Sequence, residues 1–434
     1  MTPADDLELT ASIARDLIRF DTSNYGGGRA NSETEAAHYL GDHLSQLGLK
    51  PEYVDAAPGR TSVVARVAGA DATKPALIVH GHTDVVPAEA GDWSVDPFAG
   101  VVRDGMLWGR GAVDMKNMDA MIIAALTDII RSGARPARDL VVAFFSDEEN
   151  GGIFGSHHLV DSRPDLFDGA TEAISEVGGY SVHLRGRRAY LLQTGEKSLV
   201  WIKLVTRGPA AHGSRMVDNN SVTELARAVA TLGSLEWPVT LTTTTSTLLV
   251  ELARLMGVES THTDPDALVL STGSAAGFIR ATLRTTSNPT VLAAGYKHNV
   301  IPERAEALID IRTLPGQEDM VLAQVRELVG DAVEVIVVHR DVGLENPFSG
   351  ALVTAMVDSL QRADPGAPVL PYLMPGGTDN KALSKLGIAG YGFAPLRLPP
   401  ELDFAAMFHG VDERVPLDAL VFGRHVLAEL LVNY

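Results

Sequence analysis

The sequence predicts an α/β protein: a mixed, mainly parallel sheet flanked by helices, with an α+β domain inserted into it. Three observations carry this. Short apolar runs alternate with helical stripes through the first 180 residues, the texture of strands buried on both faces between helices. Near residue 185 the strands begin to alternate apolar and polar positions. From about residue 343 the first texture returns and runs to the C-terminus. The expected division is a split domain, 1–183 and 343–434, around an inserted domain, 184–342. A chain of 434 residues is too long for one ordinary core in any case.

The elements follow in order. The start, MTPADDLELTASIARDLIRF, is acidic and amphipathic, with Leu9, Ile13 and Leu17 at helical spacing. It lacks a basic n-region and an apolar h-region, so it reads as a helix and not as a secretion signal. Ala36, Tyr39, Leu40, Leu44 and Leu47 mark a second helix face. Residues 62–67 and 76–79 read as strands. Met118, Met121, Ile122, Ala125, Leu126 and Ile129 form a wide helical stripe, and 140–145 and 173–175 are further strands. After the basic stretch 185–188, strands are expected at 189–193 and 199–206. A helix with Val222, Leu225, Val229 and Leu232 on one face comes next. Segment 236–290 is rich in Thr and Ser and has no clear period. Residues 300–311 read as a strand pair, 319–329 as a helix and 333–338 as a strand.

Composition narrows the function. The formal net charge of −19 argues against nucleic acid or an anionic membrane as partner. The chain has no cysteine, which excludes disulfides, thiolate metal ligands and a Cys nucleophile, and fits a cytoplasmic location. No apolar run reaches the ~18 residues of a membrane span.

The chemistry is concentrated at strand ends. HGHTDVVP, residues 80–87, closes the strand 76–79, and in open α/β sheets ligands bind at such ends. In His82-x-Asp84 one ring nitrogen can bind a metal while the carboxylate holds the other N–H. Asp114 follows a Gly-rich turn, Ser146-Asp147-Glu148-Glu149 follows the strand 140–145, and Glu176 ends another strand. Late in the chain, Phe408-His409-Gly410-Val411-Asp412-Glu413 adds an isolated histidine. Carboxylates gathered at one sheet edge repel one another, so cations are the best account of such a cluster. Histidine and carboxylate without thiolate suit Zn²⁺, with Co²⁺ or Mn²⁺ possible. A carboxylate left off the metals would serve as general base on a water.

HGHTDVVP, GRGAVDMKN, SDEENGG, SEVGG and FHGVDERV resemble, in order and spacing, the motifs of the M20 metallopeptidases. That family includes aminoacylase, glutamate carboxypeptidase, succinyl-diaminopimelate desuccinylase and carboxypeptidase S. The resemblance spans nearly the whole chain. It implies a zinc-peptidase catalytic domain with a ferredoxin-like lid and dimerisation domain inserted. It also implies that His82 and Glu176 hold one zinc, that Glu149 and His409 hold the other, and that Asp114 bridges them. Asp84 would orient His82. Glu148 would activate the bridging water and then protonate the leaving nitrogen. Met115 stands where the family usually has a second acid.

The inserted domain adds PAAHGS, whose His212 resembles the family's lid histidine, often supplied by the partner subunit of a homodimer. The stretch 280–316 looks most like carboxypeptidase S and the N-fatty-acyl-amino-acid hydrolases. By that similarity Asn299 would meet the substrate carbonyl and Arg312 the substrate carboxylate. Gly377 and Thr378, in Pro375-Gly376-Gly377-Thr378-Asp379, could receive a carboxylate as well. His80 reads as structural packing, and His157, His158, His298, His339 and His425 as surface or satisfied residues. The implied activity is hydrolysis of an amide next to a free C-terminal carboxylate, on a peptide or N-acyl amino acid. Glu at 176 favours that branch; Asp is commoner there in dipeptidases and aminopeptidases. A dipeptidase or a narrow deacylase, such as a desuccinylase, is the first alternative. An inert binding homologue is the second, and it would be expected to have lost a metal ligand or Glu148; all six are present.

Overall fold

The computed structural model describes residues 8–258, 264–273 and 276–434. The acidic start 1–7 and parts of segment 236–290 lie outside these. The larger unit is built on a ten-stranded mixed sheet. Its order runs Glu52–Ala57, Arg60–Val67, Leu140–Phe145, Ala76–His82, Ala170–Ser175, Ala389–Gly392, Arg187–Glu196 and Leu344–Glu345. Val369–Met374 and Tyr180–Leu184 also pair with Arg187–Glu196. The centre is parallel: Ala76–His82 runs between Leu140–Phe145 and Ala170–Ser175, with both neighbours in the same direction. Every residue of Ala76–His82 and Leu140–Phe145 is buried, as strands covered on both faces by helices must be. Parallel register carries a functional consequence. His82 lies opposite Phe145, the residue before the Ser146–Glu149 stretch, and Glu176 follows the neighbouring strand. Three motifs distant in sequence therefore emerge at one sheet edge.

One face of this sheet is closed by Leu9–Ile18, Lys116–Arg131 and Leu417–Asn433, and the other by Ser156–Ser162 and Asn380–Ser384. Lys116–Arg131 packs so closely that a Cβ on Gly81 would lie 2.1 Å from Asp119 Oδ1. Only glycine fits between His80 and His82.

The smaller unit is a four-stranded antiparallel sheet ordered Thr286–Ala294, Arg304–Thr313, Ser198–Arg207, Val333–Arg340. Ser221–Gly233 and Glu318–Val329 cover one face over a core of Val200, Ile202, Leu204, Ile309 and Ile311. The chain order βαββαβ is the ferredoxin-like one.

Three expectations need adjusting. The strand Arg187–Glu196 lies in the large sheet, so the crossing into the lid falls at Lys197 and not at 184. The expected strand pair at 300–311 is one strand, Arg304–Thr313; its partner Thr286–Ala294 comes from the segment that had no assignment, and Val300–Ile301 pairs instead with Ala211–His212. Described residues of that segment also form the helices Thr243–Met256, Pro265–Leu270 and Ala276–Thr282; Leu248, Leu249 and Leu252, with Leu283 just after the last helix, join the large core. Thr and Ser hide the helix because Thr242 and Thr245 are spent on its capping box. Leu252→Ala should therefore destabilise the body, by about 2–5 kcal/mol. Urea unfolding followed by separate probes in lid and body would locate the loss; an effect confined to the lid would contradict this packing.

Candidate metal centre

His82 and His409 reach the same aspartate from opposite sides. Asp114 Oδ1 is 3.1 Å from His82 Nε2, and Asp114 Oδ2 is 3.3 Å from His409 Nε2. Each histidine faces a further carboxylate: Glu176 Oε2 lies 3.4 Å from His82 Nε2, and Glu149 Oε2 lies 3.1 Å from His409 Nε2. Two groups able to hold a metal result, His82/Asp114/Glu176 and Asp114/Glu149/His409, with Asp114 common to both. Glu149 Oε1 is buried without a hydrogen-bond partner among the described residues.

The electrostatics of the cluster are strongly perturbed. Burial pushes the Glu176 carboxyl up to about 8, with Asp114 adding to the shift. Burial and then Glu176 raise Glu148 well above the carboxylate range, and burial and Asp114 raise Glu149. His409, hydrogen-bonded to Asp114 and Glu149, rises to about 11. Burial would lower His82, but Glu176, Asp114 and Asp84 outweigh it and hold it well above its ordinary value. His82, His409, Glu148, Glu149 and Glu176 are thus all raised while Asp114, between the two imidazoles, is lowered, the pattern of carboxylates crowded around two histidines in a poorly solvated place.

Surrounding groups hold these ligands still. His82 Nδ1 is 3.0 Å from the backbone carbonyl of Asp84 and 3.5 Å from its carboxylate. That carboxylate accepts from Asn24 Nδ2 and from the N–H groups of Glu148 and Glu149. Asp84 thus fixes the Glu148–Glu149 turn as well as the imidazole. Asn24 also donates to Asp147, a residue in the left-handed region at φ 63°. Val177 and His409 share that conformation, with φ of 51° and 60°. A β-branched residue there is strained, and such strain gathers at functional sites.

Glu413 ties the Asp114 loop to the His409 loop. Its buried carboxylate accepts from Arg110 Nη1 and from the N–H groups of Gly111, Val113 and Asp114. Glu413→Gln should weaken metal binding by about 10–100-fold, as loss of a ligand's support does. Competition with a chromophoric chelator would measure it, and an unchanged affinity would remove Glu413 from this role.

The cluster floors a pocket of about 510 Å³ between body and lid. Glu148 lines it, with Val86, Tyr180, Tyr372, Met374 and Phe408 as an apolar wall. Arg312, Gly377 and Thr378 line it too, but two of these are already engaged. Arg312 makes a bidentate pair with Asp310, at 2.7 and 2.9 Å. Thr378 turns inward, its N–H and hydroxyl both donating to buried Glu196, so its hydroxyl does not face a ligand. His212 and Asn299 do not line this pocket. They sit together on the outer part of the lid, where Gly213 N–H donates to the Asn299 carbonyl and the exposed His212 ring contacts Ser214.

Sequence reasoning missed His157, His339, Trp201, Asp341, Asp379 and Lys381, all of which line the pocket. His157 and His339 read as surface because no motif surrounds them. Asp379 could have been found, since it adjoins the Gly-Thr pair already singled out.

The model of peptidase family M20/M25/M40 matches residues 78–433. Aminoacylase-1 of Sus scrofa is 24% identical over 409 residues, covering 91% of this chain and 89% of that protein. The human N-fatty-acyl-amino acid synthase/hydrolase PM20D1 is 28% identical over 386 residues, covering 85% and 76%. Among solved structures, an M20 family metallo-carboxypeptidase, Sso-CP2 from Sulfolobus solfataricus, superposes with a TM-score of 0.75 at 20% identity, covering 98% of this chain and 99% of that one.

Proposed function

From the premise that this chain belongs to peptidase family M20/M25/M40 and is a hydrolase of amide bonds, we propose that it is a two-zinc enzyme cutting an amide next to a free C-terminal carboxylate. The substrate is a peptide or an N-acyl amino acid. One observation carries the reading: the two oxygens of Asp114 face two different His/carboxylate groups. The donor set fits the ions, since it is oxygen and imidazole only, negatively charged in excess, and includes an unpartnered buried oxygen on Glu149. His82 and Glu176 would hold one ion, Glu149 and His409 the other, and Asp114 both; Co²⁺ or Mn²⁺ suits the same donors. When bound, the ions polarise the scissile carbonyl and make water a stronger acid.

The chain's own groups do the rest. Glu148 takes the proton from the attacking water and delivers it to the leaving nitrogen. Burial and Glu176 raise its affinity for that proton, which suits a group that must hold it briefly. Asp84 holds Glu148 in place through its N–H. Arg312, oriented by Asp310, offers positive charge to the substrate carboxylate from the lid side. Gly377 leaves the loop backbone open beside it. The apolar wall of Tyr180, Tyr372, Met374 and Phe408 suits an apolar acyl group or side chain.

His212 and Asn299 serve the site of a second copy. Support comes from one edge strand of the lid, Thr286–Ala294, whose outer edge pairs with no strand among the described residues and which exposes Val291 (49%) and Leu292 (65%). Such an edge is a ready template for another chain. Mixing inactive His212→Ala and Glu148→Ala chains should restore up to about a quarter of the activity, the share of sites that receive both intact residues by random pairing. No recovery from the mixture would place His212 in its own chain's site.

The reading is tested on zinc-loaded protein with N-acetyl, long-chain N-acyl and N-succinyl amino acids and benzyloxycarbonyl-Gly-Leu, each also with its carboxylate amidated. Cleavage that requires the free carboxylate supports it. Cleavage of free-amine dipeptides alone transfers the chain to the dipeptidases.

A further inference from the structure

The lid is joined to the body by two neighbouring crossings, at Lys197 between Arg187–Glu196 and Ser198–Arg207, and at 341–343 after Val333–Arg340. One body side chain holds both. Lys381 lies on Asn380–Ser384, whose Ala382 and Leu383 pack in the body core. Its buried ammonium donates to the Lys197 carbonyl at 2.8 Å and to Asp341 Oδ2 at 2.9 Å. Asp341 Oδ1 in turn accepts the Leu199 N–H at 2.6 Å, and the Asp341 N–H donates to the Leu199 carbonyl. The first residues of one crossing are thereby locked to the other. Leu199 stands opposite Arg312 in the lid sheet, and Trp201 stands opposite His339. Leu199, Trp201, Arg312 and His339 are the lid's contribution to the pocket wall.

The same crossing is held from two more directions. Glu196 grips Thr378, in the loop just before Lys381. Lys197 Nζ, fully buried, donates to the carbonyls of Ala281 and Arg284 and to the Thr286 hydroxyl. A Cβ on Gly377 would lie 2.6 Å from Lys381 Nζ, so the pocket loop is glycine there because the clamp passes beneath it.

We propose that Lys381 and Asp341 are positioning residues that set the angle of the lid over the metal pocket. A charge pair spanning a two-stranded hinge determines where Leu199 and Arg312 stand relative to the floor. Loss of Lys381 leaves Asp341 with the Leu199 N–H and a His339 nitrogen 3.9 Å away, and loss of Asp341 strips a buried ammonium of its paired carboxylate, so either change loosens the hold between the crossings. Both line the pocket, but neither belongs to the two groups able to hold a metal.

The proposal rests on the function above only for its kinetic arm. Because the chain has no cysteine, Glu327→Cys on the lid and Asp358→Cys on the body can be spin-labelled selectively in the metal-loaded protein. The label-to-label distance distribution should be narrow in the parent and broader or longer in Lys381→Met. Asp341→Asn, close in shape, should broaden it too and guards against Lys381→Met failing to fold. In both variants KM should rise more than kcat falls, with kcat/KM down on the order of 100-fold, as a misplacement of about 1 Å produces. Metal content should equal the parent's. Parental distance distributions in both variants would overturn the clamp whatever the kinetics show. Absence of activity on every substrate would sink the proposed function and leave the distance measurement standing.

Discussion

Glu148→Gln should lower kcat by about 10²–10⁴-fold while KM and metal content stay near those of the parent, because the side chain's task is proton transfer. The substitution keeps shape and removes only the charge. It should also stabilise the metal-free protein, since burial, Glu176, Asp379 and Glu149 all oppose ionisation at this position. Activity lost while stability is gained marks a functional carboxylate apart from a structural one. A thermal melt of stripped protein at pH 8, alongside turnover of the loaded protein, provides both readings. A variant that loses metal together with activity would show Glu148 to be a ligand instead.

Metal removal should be accompanied by proton uptake, and this is the second large effect. Glu176 is raised from an ordinary 4.5 to about 8, chiefly by burial. His409 is raised from 6.5 to about 11, chiefly by its hydrogen bonds to Asp114 and Glu149. Both hold a proton more tightly folded than unfolded. Their contribution to the stability of the stripped chain is therefore complete below 4.5 and 6.5 respectively. It is lost as pH rises through about 8 and then toward about 11. Stripped protein should lose stability on going from pH 6.5 to 9, and loaded protein should not. Ions must displace these protons, so two or more leave on loading and the apparent zinc affinity rises about 100-fold per pH unit near neutrality. Calorimetric titration in buffers of different ionisation enthalpy counts them. Release of fewer than one proton per chain would contradict the charge pattern of the site.

The parallel core and the metal ligands were legible because one pattern encodes both. A strand buried on two faces must read as a continuous apolar run, and a polar residue that interrupts its end is then conspicuous, as His82, Glu148 and Glu176 are. Asp114 and His409 stand out through the glycines around them. What was not legible depends on contacts between distant residues. Glu413 has no visible role in GVDERV until Arg110 and the backbone of 111–114 close on it. Lys381 and Asp341 lie 40 residues apart with no shared motif. Thr378 carried a motif, yet its polar groups serve Glu196, because motif membership does not say which way a hydroxyl turns. The boundary at 184 was misplaced because Arg187–Glu196 pairs with Val369–Met374, which lies almost two hundred residues further along.

The helix Thr243–Met256 packs against Val369–Met374 as well, with Leu248, Leu249 and Leu252 in the same core. A ribosome must add more than a hundred residues after that helix before its partner strand appears. Throughout that interval, seconds at ordinary elongation rates of about 5–20 residues per second, the part of its apolar face that this strand covers is left open. Nascent chains halted before residue 369 should be the species that chaperones retain and that aggregate when released. Yield from a heterologous host will then depend on how fast residues 257–374 are delivered as well as on the stability of the finished molecule.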